Sequence, residues 1–257
     1  MFRLSVCAET VFPKLPLAER AKAIARAGFL VEFWSWRDRG LEAIAADSDI
    51  QISAFPGYMG GSMVHPAGVA TFLEGVRRSL AFADKLRCRE LFLSTGEISH
   101  EGKVIHPIAA HAATRWITAY KVLSQVAELA EKYGVVYYLE PLNTKVDHAG
   151  YPLRYVEDVV RLLEEVGSQR IKLLLDIYHV QVEEGNVTQV IRDYEKFIGY
   201  VHVADVPGRH EPGTGEINYP HIAQTLRDVG YEGTVGLEAF PESDDHLAMT
   251  RFREVFA

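Results

Sequence analysis

Four side chains that can bind metal ions stand at or near the ends of apolar runs in the sequence. Glu140 follows the run VVYYL, and Asp176 follows IKLLL. His202 lies within GYVHVAD, and Glu238 follows TVGL. Three carboxylates and one imidazole form a hard, mixed donor set, which suits Mn²⁺, Mg²⁺ or Co²⁺ better than a structural zinc ion. The pattern predicts one divalent metal ion, with Mn²⁺ favoured, if the fold brings these side chains together.

Each of these residues also has an ordinary structural interpretation. A carboxylate that ends a strand often caps the following helix, and a single histidine on an apolar strand is often a hydrogen-bonded core residue. The set of four favours the metal interpretation. Three carboxylates at one place would repel each other and raise each other's pKa unless a cation neutralised them.

Three further polar side chains follow the same apolar runs. His179 lies three residues after Asp176, and it could hydrogen-bond a substrate oxygen or pair with a nearby carboxylate. Arg209 and Glu211 open the segment RHEPGTGEINYPHI after the run that holds His202. The Arg209 guanidinium is suited to bind a substrate carboxylate or hydroxyl, and its structural alternative is a solvated loop charge.

The segment after Arg209 combines residues that stiffen and turn a chain. Pro212, Gly213 and Gly215 are expected to form a fixed turn that carries Arg209 over the site. Asn218 is a candidate N-cap for the helix that follows, with Pro220 in its first turn.

The elements that must position these residues are short apolar runs alternating with amphipathic ones. Nearly continuous apolar runs are typical of strands buried on both faces of a parallel sheet. The predicted strands are Arg3–Cys7, Leu30–Phe33, Gln51–Phe55, Glu90–Ser94, Val135–Leu139, Ile171–Leu175, Tyr200–Val203 and Thr234–Leu237. Eight helical patterns alternate with them, of which GLEAIAADSD is short and weak.

This alternation predicts an α/β fold, a (β/α)8 TIM barrel formed as a single domain by residues 1–257. The competing architecture is an open doubly wound sheet, which would favour a glycine-rich turn after the first strand. The first turn here reads AETVFPKLP and has no glycine. In such a barrel the active site lies at the C-terminal ends of the strands, where the four candidate ligands would converge.

The composition limits the class of protein. A net charge of −8 argues against a nucleic-acid partner, which usually needs a basic surface. No apolar run reaches membrane-spanning length and no signal peptide is visible, so a cytoplasmic protein without a membrane partner is expected. Cys7 and Cys88 lie in or beside apolar runs and are predicted to be buried free thiols.

Four segments together carry a resemblance: YLEPLN, LLLDIYHVQ, YVHVADVPGRHEPGTGEINY and GLEAF. In order and spacing they resemble the hydroxypyruvate isomerase family of sugar isomerase and epimerase barrels, relatives of ketose 3-epimerases and xylose-isomerase-like proteins. The resemblance is densest from Tyr138 to Phe240.

The resemblance implies a role in carbohydrate metabolism and an enediolate mechanism on a small polar substrate, a keto acid or ketose. It implies that the divalent ion is held by Glu140, Asp176, His202 and Glu238. Glu140 and Glu238 would be the acid/base pair, and His179 and Arg209 would hold substrate oxygens. Asp147, seven residues after Glu140, is also expected to contact substrate.

The first half of the chain resembles the family less. Trp34 and Trp36, after the second strand, could line a pocket for a larger or less polar substrate, or pack at the rim. Glu32 could support the site by a hydrogen bond, but a structural ion pair is the preferred interpretation.

Alternatives to the isomerase therefore stay open. They are a ketose 3-epimerase, a metal-dependent lyase or hydrolase acting on a glycoside or inositol-type substrate, a nucleic-acid enzyme and a binding module without catalysis. A homo-oligomer is a further expectation.

Overall fold

The fold is a closed barrel of parallel strands. The computed structural model of the chain describes residues 1–37, 39–99, 102–105 and 110–257. Within them, eight strands pair in sequence order and the last pairs with the first, which confirms the barrel and excludes the open sheet. The strands are β1 (Arg3–Cys7), β2 (Leu30–Glu32), β3 (Ile52–Pro56), β4 (Glu90–Leu93), β5 (Val136–Leu139), β6 (Ile171–Asp176), β7 (Ile198–Val203) and β8 (Thr234–Leu237).

The helices surround the barrel and connect successive strands. Those of the described residues are α1 (Leu17–Arg26), α2 (Leu41–Ala45), α3 (Val69–Leu86), α4 (Ala112–Tyr133), α5 (Val156–Val166), α6 (Ile177–Glu183), α7 (Val187–Tyr194), α8 (Tyr219–Asp228) and α9 (Asp245–Phe256), with a short 3₁₀ helix at Pro66–Gly68. Asn218 caps α8, as predicted: its Oδ1 accepts a hydrogen bond from the backbone N–H of His221.

The strict alternation predicted between β6 and β7 is wrong in one place. Two helices connect these strands, and α6 was not predicted because seven residues are too few to show helical periodicity. The Asp176 carboxylate starts α6 by accepting hydrogen bonds from the N–H groups of Tyr178 (2.8 Å) and His179 (3.3 Å). Residue 179 thereby lies in the first turn of a helix.

The core lies mainly between the strands and the helices that cover them. A smaller cluster fills the inside of the barrel, formed by Ala54, Tyr138, Leu174 and Tyr200. Cys7 and Cys88 are buried free thiols, as predicted. Among the residues described, none of the helices has both the length and the apolar character to cross a membrane.

Candidate active site

The four predicted metal ligands meet at the C-terminal end of the barrel. Glu140 and Glu238 directly follow β5 and β8, Asp176 ends β6, and His202 lies near the end of β7. Asp176 pairs with His202 in the register of β6 and β7, so the strand order itself brings these two side chains together. One donor atom from each of the four lies within 4.8 Å of the others, a grouping that can hold a metal ion.

Two donor atoms of this cluster are buried without a hydrogen-bond partner among the described residues. They are Oε1 of Glu140 and Nδ1 of His202, which lie 3.9 Å apart. Oε1 of Glu238 lies 3.8 Å from the same Nδ1. Buried polar atoms normally have a partner. A cation between these atoms would provide one, so the side chains present fit a divalent ion bound by oxygen and nitrogen donors.

The carboxylates of the cluster make each other's ionisation unfavourable. Burial, then the neighbouring Glu238 and Asp176 carboxylates, raise the pKa of Glu140 to about 7. Burial and the Glu238 carboxylate likewise raise the pKa of Asp176 to about 6, against the opposite effect of Arg209. Burial would also raise the pKa of Glu238, but His202 and Arg209 hold it below its usual value. Excess negative charge at one point favours a cation there.

Arg209 reaches into the cluster from the loop after β7. Its guanidinium forms an ion pair with Glu238 and lies 3.5 Å from Oδ2 of Asp176. It also lies over the ring of Tyr178, with Cζ 4.9 Å from the ring centre. Its backbone carbonyl accepts a hydrogen bond from the N–H of Phe240 (2.8 Å), which ties the loop to the segment after β8. The Arg209 guanidinium, which already contacts two carboxylates of the cluster, is well placed to bind a substrate oxygen.

His179 faces the cluster through Nε2, which lies 3.6 Å from Oδ2 of Asp176 and 4.0 Å from Oε1 of Glu140. Its Nδ1 lies 2.7 Å from Nδ2 of Asn143 and accepts a hydrogen bond from the Asn143 backbone N–H (3.4 Å). Burial, then the Arg209 charge, hold the pKa of His179 well below its usual value. A neutral ring that accepts at Nδ1 carries its proton on Nε2, so His179 presents a hydrogen-bond donor to the site.

Asp147 joins the site through the same asparagine. Nδ2 of Asn143 lies 2.7 Å from Oδ2 of Asp147 and donates to it. The Asp147 carboxylate also acts on Tyr178, since burial and then Asp147 raise the pKa of that phenol. Asn143 and Tyr178 were not predicted as site residues, although they lie within the segments YLEPLN and LLLDIYHVQ.

A family model described as "Xylose isomerase-like TIM barrel" matches residues 21–254. The chain belongs to this family. The match begins within α1 and ends within α9, so the cluster lies inside the matched region.

Relatives of this xylose isomerase-like barrel include isomerases and an epimerase. A mouse protein named putative hydroxypyruvate isomerase is 31% identical over 94% of this chain and 91% of its own length. A crystal structure from Brucella melitensis, named AP endonuclease, family 2, is 27% identical with a TM-score of 0.89, covering 99% of both chains. A structure of L-ribulose 3-epimerase is 25% identical with a TM-score of 0.75, covering 100% of this chain and 88% of that one. The chain is an enzyme of the isomerase and epimerase class.

The two tryptophans after β2 do not form a pair in this family member. Nε1 of Trp34 donates a hydrogen bond to Oε1 of Glu238 (2.5 Å), so Trp34 is part of the site. Trp36 is buried and packs on Phe82, with ring centres 4.8 Å apart. The idea that both rings line a pocket is therefore wrong. Residues two apart in a regular strand would share a face, but β2 ends at Glu32 and the segment that carries the tryptophans is not a strand.

The loop that carries Arg209 folds around the carboxylate of Asp205. This buried group accepts hydrogen bonds from the N–H groups of Val206 (2.9 Å), Gly213 (2.9 Å) and Ile217 (3.0 Å). At Gly215 a Cβ atom would lie 2.1 Å from the carbonyl oxygen of Val206, so only glycine fits there. The predicted fixed turn is thus explained by Asp205, a residue that was not predicted to have a role.

Glu211 does not face the site, contrary to its grouping with Arg209 at the rim. It is fully buried and forms an ion pair with Arg251 of α9 (2.8 Å). Its Oε2 also accepts a hydrogen bond from the N–H of Glu242 (3.0 Å). Glu211 therefore joins the loop after β7 to α9 and to the segment before it. Its ion pair with Arg251 could not be predicted from its place in a charged loop.

The Asp205 contacts lead to a stability prediction. Asp205→Ala is expected to lower the free energy of unfolding by about 1–3 kcal/mol, because it leaves buried backbone N–H groups without an acceptor. Urea denaturation followed by circular dichroism measures this change. Asp228→Ala, an exposed aspartate at the end of α8, should change stability by less than about 0.5 kcal/mol. Equal stability of the two variants would contradict the role given to Asp205.

Proposed function

We propose that this enzyme is a divalent-metal-dependent isomerase of the hydroxypyruvate isomerase type, which interconverts the aldehyde and ketone forms of a small polar substrate through an enediolate. The observation that carries the proposal is the cluster of four donor atoms within 4.8 Å at the mouth of the barrel. The mouse relative, 31% identical, supports the choice of substrate class. The substrate proposed is hydroxypyruvate or a closely related keto acid or short sugar.

In this proposal Glu140, Asp176, His202 and Glu238 hold one ion, most simply Mn²⁺, with Mg²⁺ or Co²⁺ as alternatives. The bound ion would polarise the substrate carbonyl and stabilise the negative charge that develops on its oxygen. Asp176, His202 and Glu238 are buried and the Glu140 side chain is 15% exposed, which limits how far bulk water can compete for that charge.

Glu140 and Glu238 are the proposed acid/base pair. They follow β5 and β8, which are separated by two strands, so the carboxylates approach a central substrate from different sides. In hydroxypyruvate, one carboxylate would remove a proton from C3 and a proton would be returned to C2. The hydroxyl proton moves from O3 to O2 in the same conversion. The carbonyl thereby passes from C2 to C3, and no proton is gained or lost overall.

His179, Arg209 and Asp147 are the proposed substrate-binding residues. The Nε2–H of His179 can donate to a substrate oxygen, and the Arg209 guanidinium can bind a carboxylate or hydroxyl. The Asp147 carboxylate can accept a hydrogen bond from a substrate hydroxyl. Together they would fix the carbon skeleton so that the proton to be removed faces a carboxylate, which is the positional requirement for the reaction.

A ketose 3-epimerase is the second candidate. The likeness to L-ribulose 3-epimerase favours it, with a TM-score of 0.75 at 25% identity. The same pair of carboxylates would then return a proton to the carbon it left, from the other face. Product analysis by NMR after incubation with Mn²⁺ and the substrate separates the two, since isomerisation moves the carbonyl and epimerisation inverts one carbon.

A nucleic-acid substrate is suggested by the name of the Brucella melitensis structure. The net charge of −8 opposes it, since nucleic-acid enzymes rely on basic surface to bind phosphates. A pair of tryptophans lining the pocket would favour the lyase alternative, but Trp36 is buried in the core and Trp34 alone of the two contacts the cluster.

Arg209 provides a test of substrate binding. Arg209→Ala is expected to lower kcat/KM about 10- to 100-fold, because a charge-assisted hydrogen bond contributes about 1.5–3 kcal/mol. Arg209→Lys should recover part of this loss, since it keeps the charge but not the planar pair of donors. Steady-state kinetics with hydroxypyruvate measures both, and Arg37→Ala, an exposed arginine outside the cluster, serves as control. Unchanged kinetics in Arg209→Ala would show that the loop does not bind substrate.

A further inference from the structure

A fifth carboxylate, Glu32 of β2, lies directly behind the candidate metal ligand His202. Its Oε1 is 3.0 Å from Nε2 of His202, and both side chains are about 1% exposed. Neither atom has another hydrogen-bond partner among the described residues. At 3.0 Å, Oε1 of Glu32 is close enough to accept a proton carried by Nε2 of His202.

The second oxygen of Glu32 is held from inside the barrel. The phenol of Tyr200 donates to Oε2 of Glu32 (2.5 Å) and lies 3.1 Å from Oγ of Ser53. Ser53 in turn lies 2.7 Å from Oγ of Ser5. This chain of contacts crosses β1, β2, β3 and β7, so the position of the carboxylate is fixed by four strands.

The neighbouring strand leaves room for this arrangement. Gly236 of β8 lies beside His202 in the register. A Cβ atom at Gly236 would lie 2.7 Å and 2.9 Å from the two carboxylate oxygens of Glu32, and 2.9 Å from Cδ2 of His202. Any side chain at this position would displace the carboxylate or the imidazole, so glycine is required here.

The other nitrogen of His202 points into the cluster. Nδ1 lies 3.9 Å from Oε1 of Glu140 and 3.8 Å from Oε1 of Glu238, with no hydrogen bond of its own. An imidazole can bind a metal ion only through a nitrogen that carries no proton. The group bound to the other nitrogen decides which one that is.

We propose that Glu32 is a positioning residue for the metal site: it keeps the proton of His202 on Nε2, so that Nδ1 presents its lone pair to the ion. Burying a carboxylate is costly, and an ion pair that served stability alone would not require the opposite nitrogen to face the cluster. The ion pair between Glu32 and His202 agrees with the preferred interpretation of Glu32, and the proposal adds a role in the site to it. The inference rests on the proposed metal site.

The first test measures metal affinity. Metal-stripped wild type is expected to bind one Mn²⁺ in isothermal titration calorimetry, and Glu32→Gln is expected to bind it about 10- to 100-fold more weakly. Glu90→Gln is the matched control, because Glu90 also accepts from a strand tyrosine, Tyr138 (3.0 Å), away from the cluster. Equal affinity in wild type and Glu32→Gln would overturn the inference alone. A wild type that binds no Mn²⁺ would overturn the metal site as well.

A second pair of variants covers the case in which Glu32→Gln does not fold. Tyr200→Phe removes the hydroxyl that holds Glu32, and Tyr138→Phe removes the equivalent hydroxyl from Glu90. Tyr200→Phe is expected to weaken Mn²⁺ binding, and Tyr138→Phe is expected to leave it unchanged. Equal affinity in the two variants would contradict the inference.

A spectroscopic readout separates positioning from a general loss of stability. In the Mg²⁺-loaded wild type, ¹⁵N-edited NMR should show the His202 proton on Nε2, shifted far downfield by its bond to a carboxylate. Glu32→Gln should move this signal upfield. A wild-type proton on Nδ1 would overturn the inference without any variant.

Discussion

Glu238→Gln is expected to lower kcat for isomerisation about 10²–10⁴-fold, the usual contribution of a positioned acid or base. The amide has nearly the same shape and can still accept the hydrogen bond that Nε1 of Trp34 donates to Glu238. It cannot take up a proton, and it binds a metal ion less well than a carboxylate. Steady-state kinetics on the Mn²⁺-loaded variant measures the loss.

The control for this variant is a carboxylate of the barrel that lies outside the site. Glu90 begins β4, at the opposite end of that strand from the cluster, and pairs with Arg3. Glu90→Gln should keep kcat near that of the wild type. If Glu238→Gln were as active as Glu90→Gln, Glu238 could not be the base or the acid of the reaction.

Asp176→Asn is expected to abolish metal binding and, with it, turnover, while the fold persists. Asp176 has two roles, since its carboxylate is a candidate ligand and also caps α6. Asparagine is as good an N-cap as aspartate, so the helix should remain. It lacks the negative charge that a hard divalent ion requires. Metal content after dialysis tests the role of Asp176 as a ligand, and circular dichroism tests whether the fold persists. The value of kcat measures the loss of turnover.

A matched variant exists at another helix. Asp244 caps α9, where its Oδ1 accepts from the N–H of Leu247 (2.8 Å), and it is not one of the candidate ligands. Asp244→Asn should keep both the metal and the activity. Retention of a full equivalent of Mn²⁺ by Asp176→Asn would show that Asp176 is a helix cap only.

The barrel and its cluster could be predicted from the sequence because both follow from local pattern. Buried parallel strands read as apolar runs, and the residue that follows each run lies at the same end of the barrel. Glu140, Asp176, His202 and Glu238 come together for this reason alone. The start of β7 was harder to predict: the apolar run indicates a strand from Tyr200, yet the strand begins at Ile198, which pairs with Leu173.

The supporting contacts could not be predicted, because they join residues far apart in the chain. Glu32 and His202 are brought together by barrel closure, as are Trp34 and Glu238. Glu211 was grouped with Arg209 from its place in the loop, but its partner is Arg251. Spacing along the sequence indicates which residues reach an end of the barrel, and it does not indicate which side chains then pair.

Proton exchange is the most direct test of the central claim, that this site removes a proton next to a carbonyl. The protein would be loaded with Mn²⁺, freed of excess metal and incubated in D₂O with hydroxypyruvate, then with short and six-carbon ketoses, with NMR of the products. We expect deuterium beside the carbonyl of at least one of these substrates, and its loss in Glu238→Gln. Absence of deuterium from all of them, with metal bound, would contradict the enediolate mechanism.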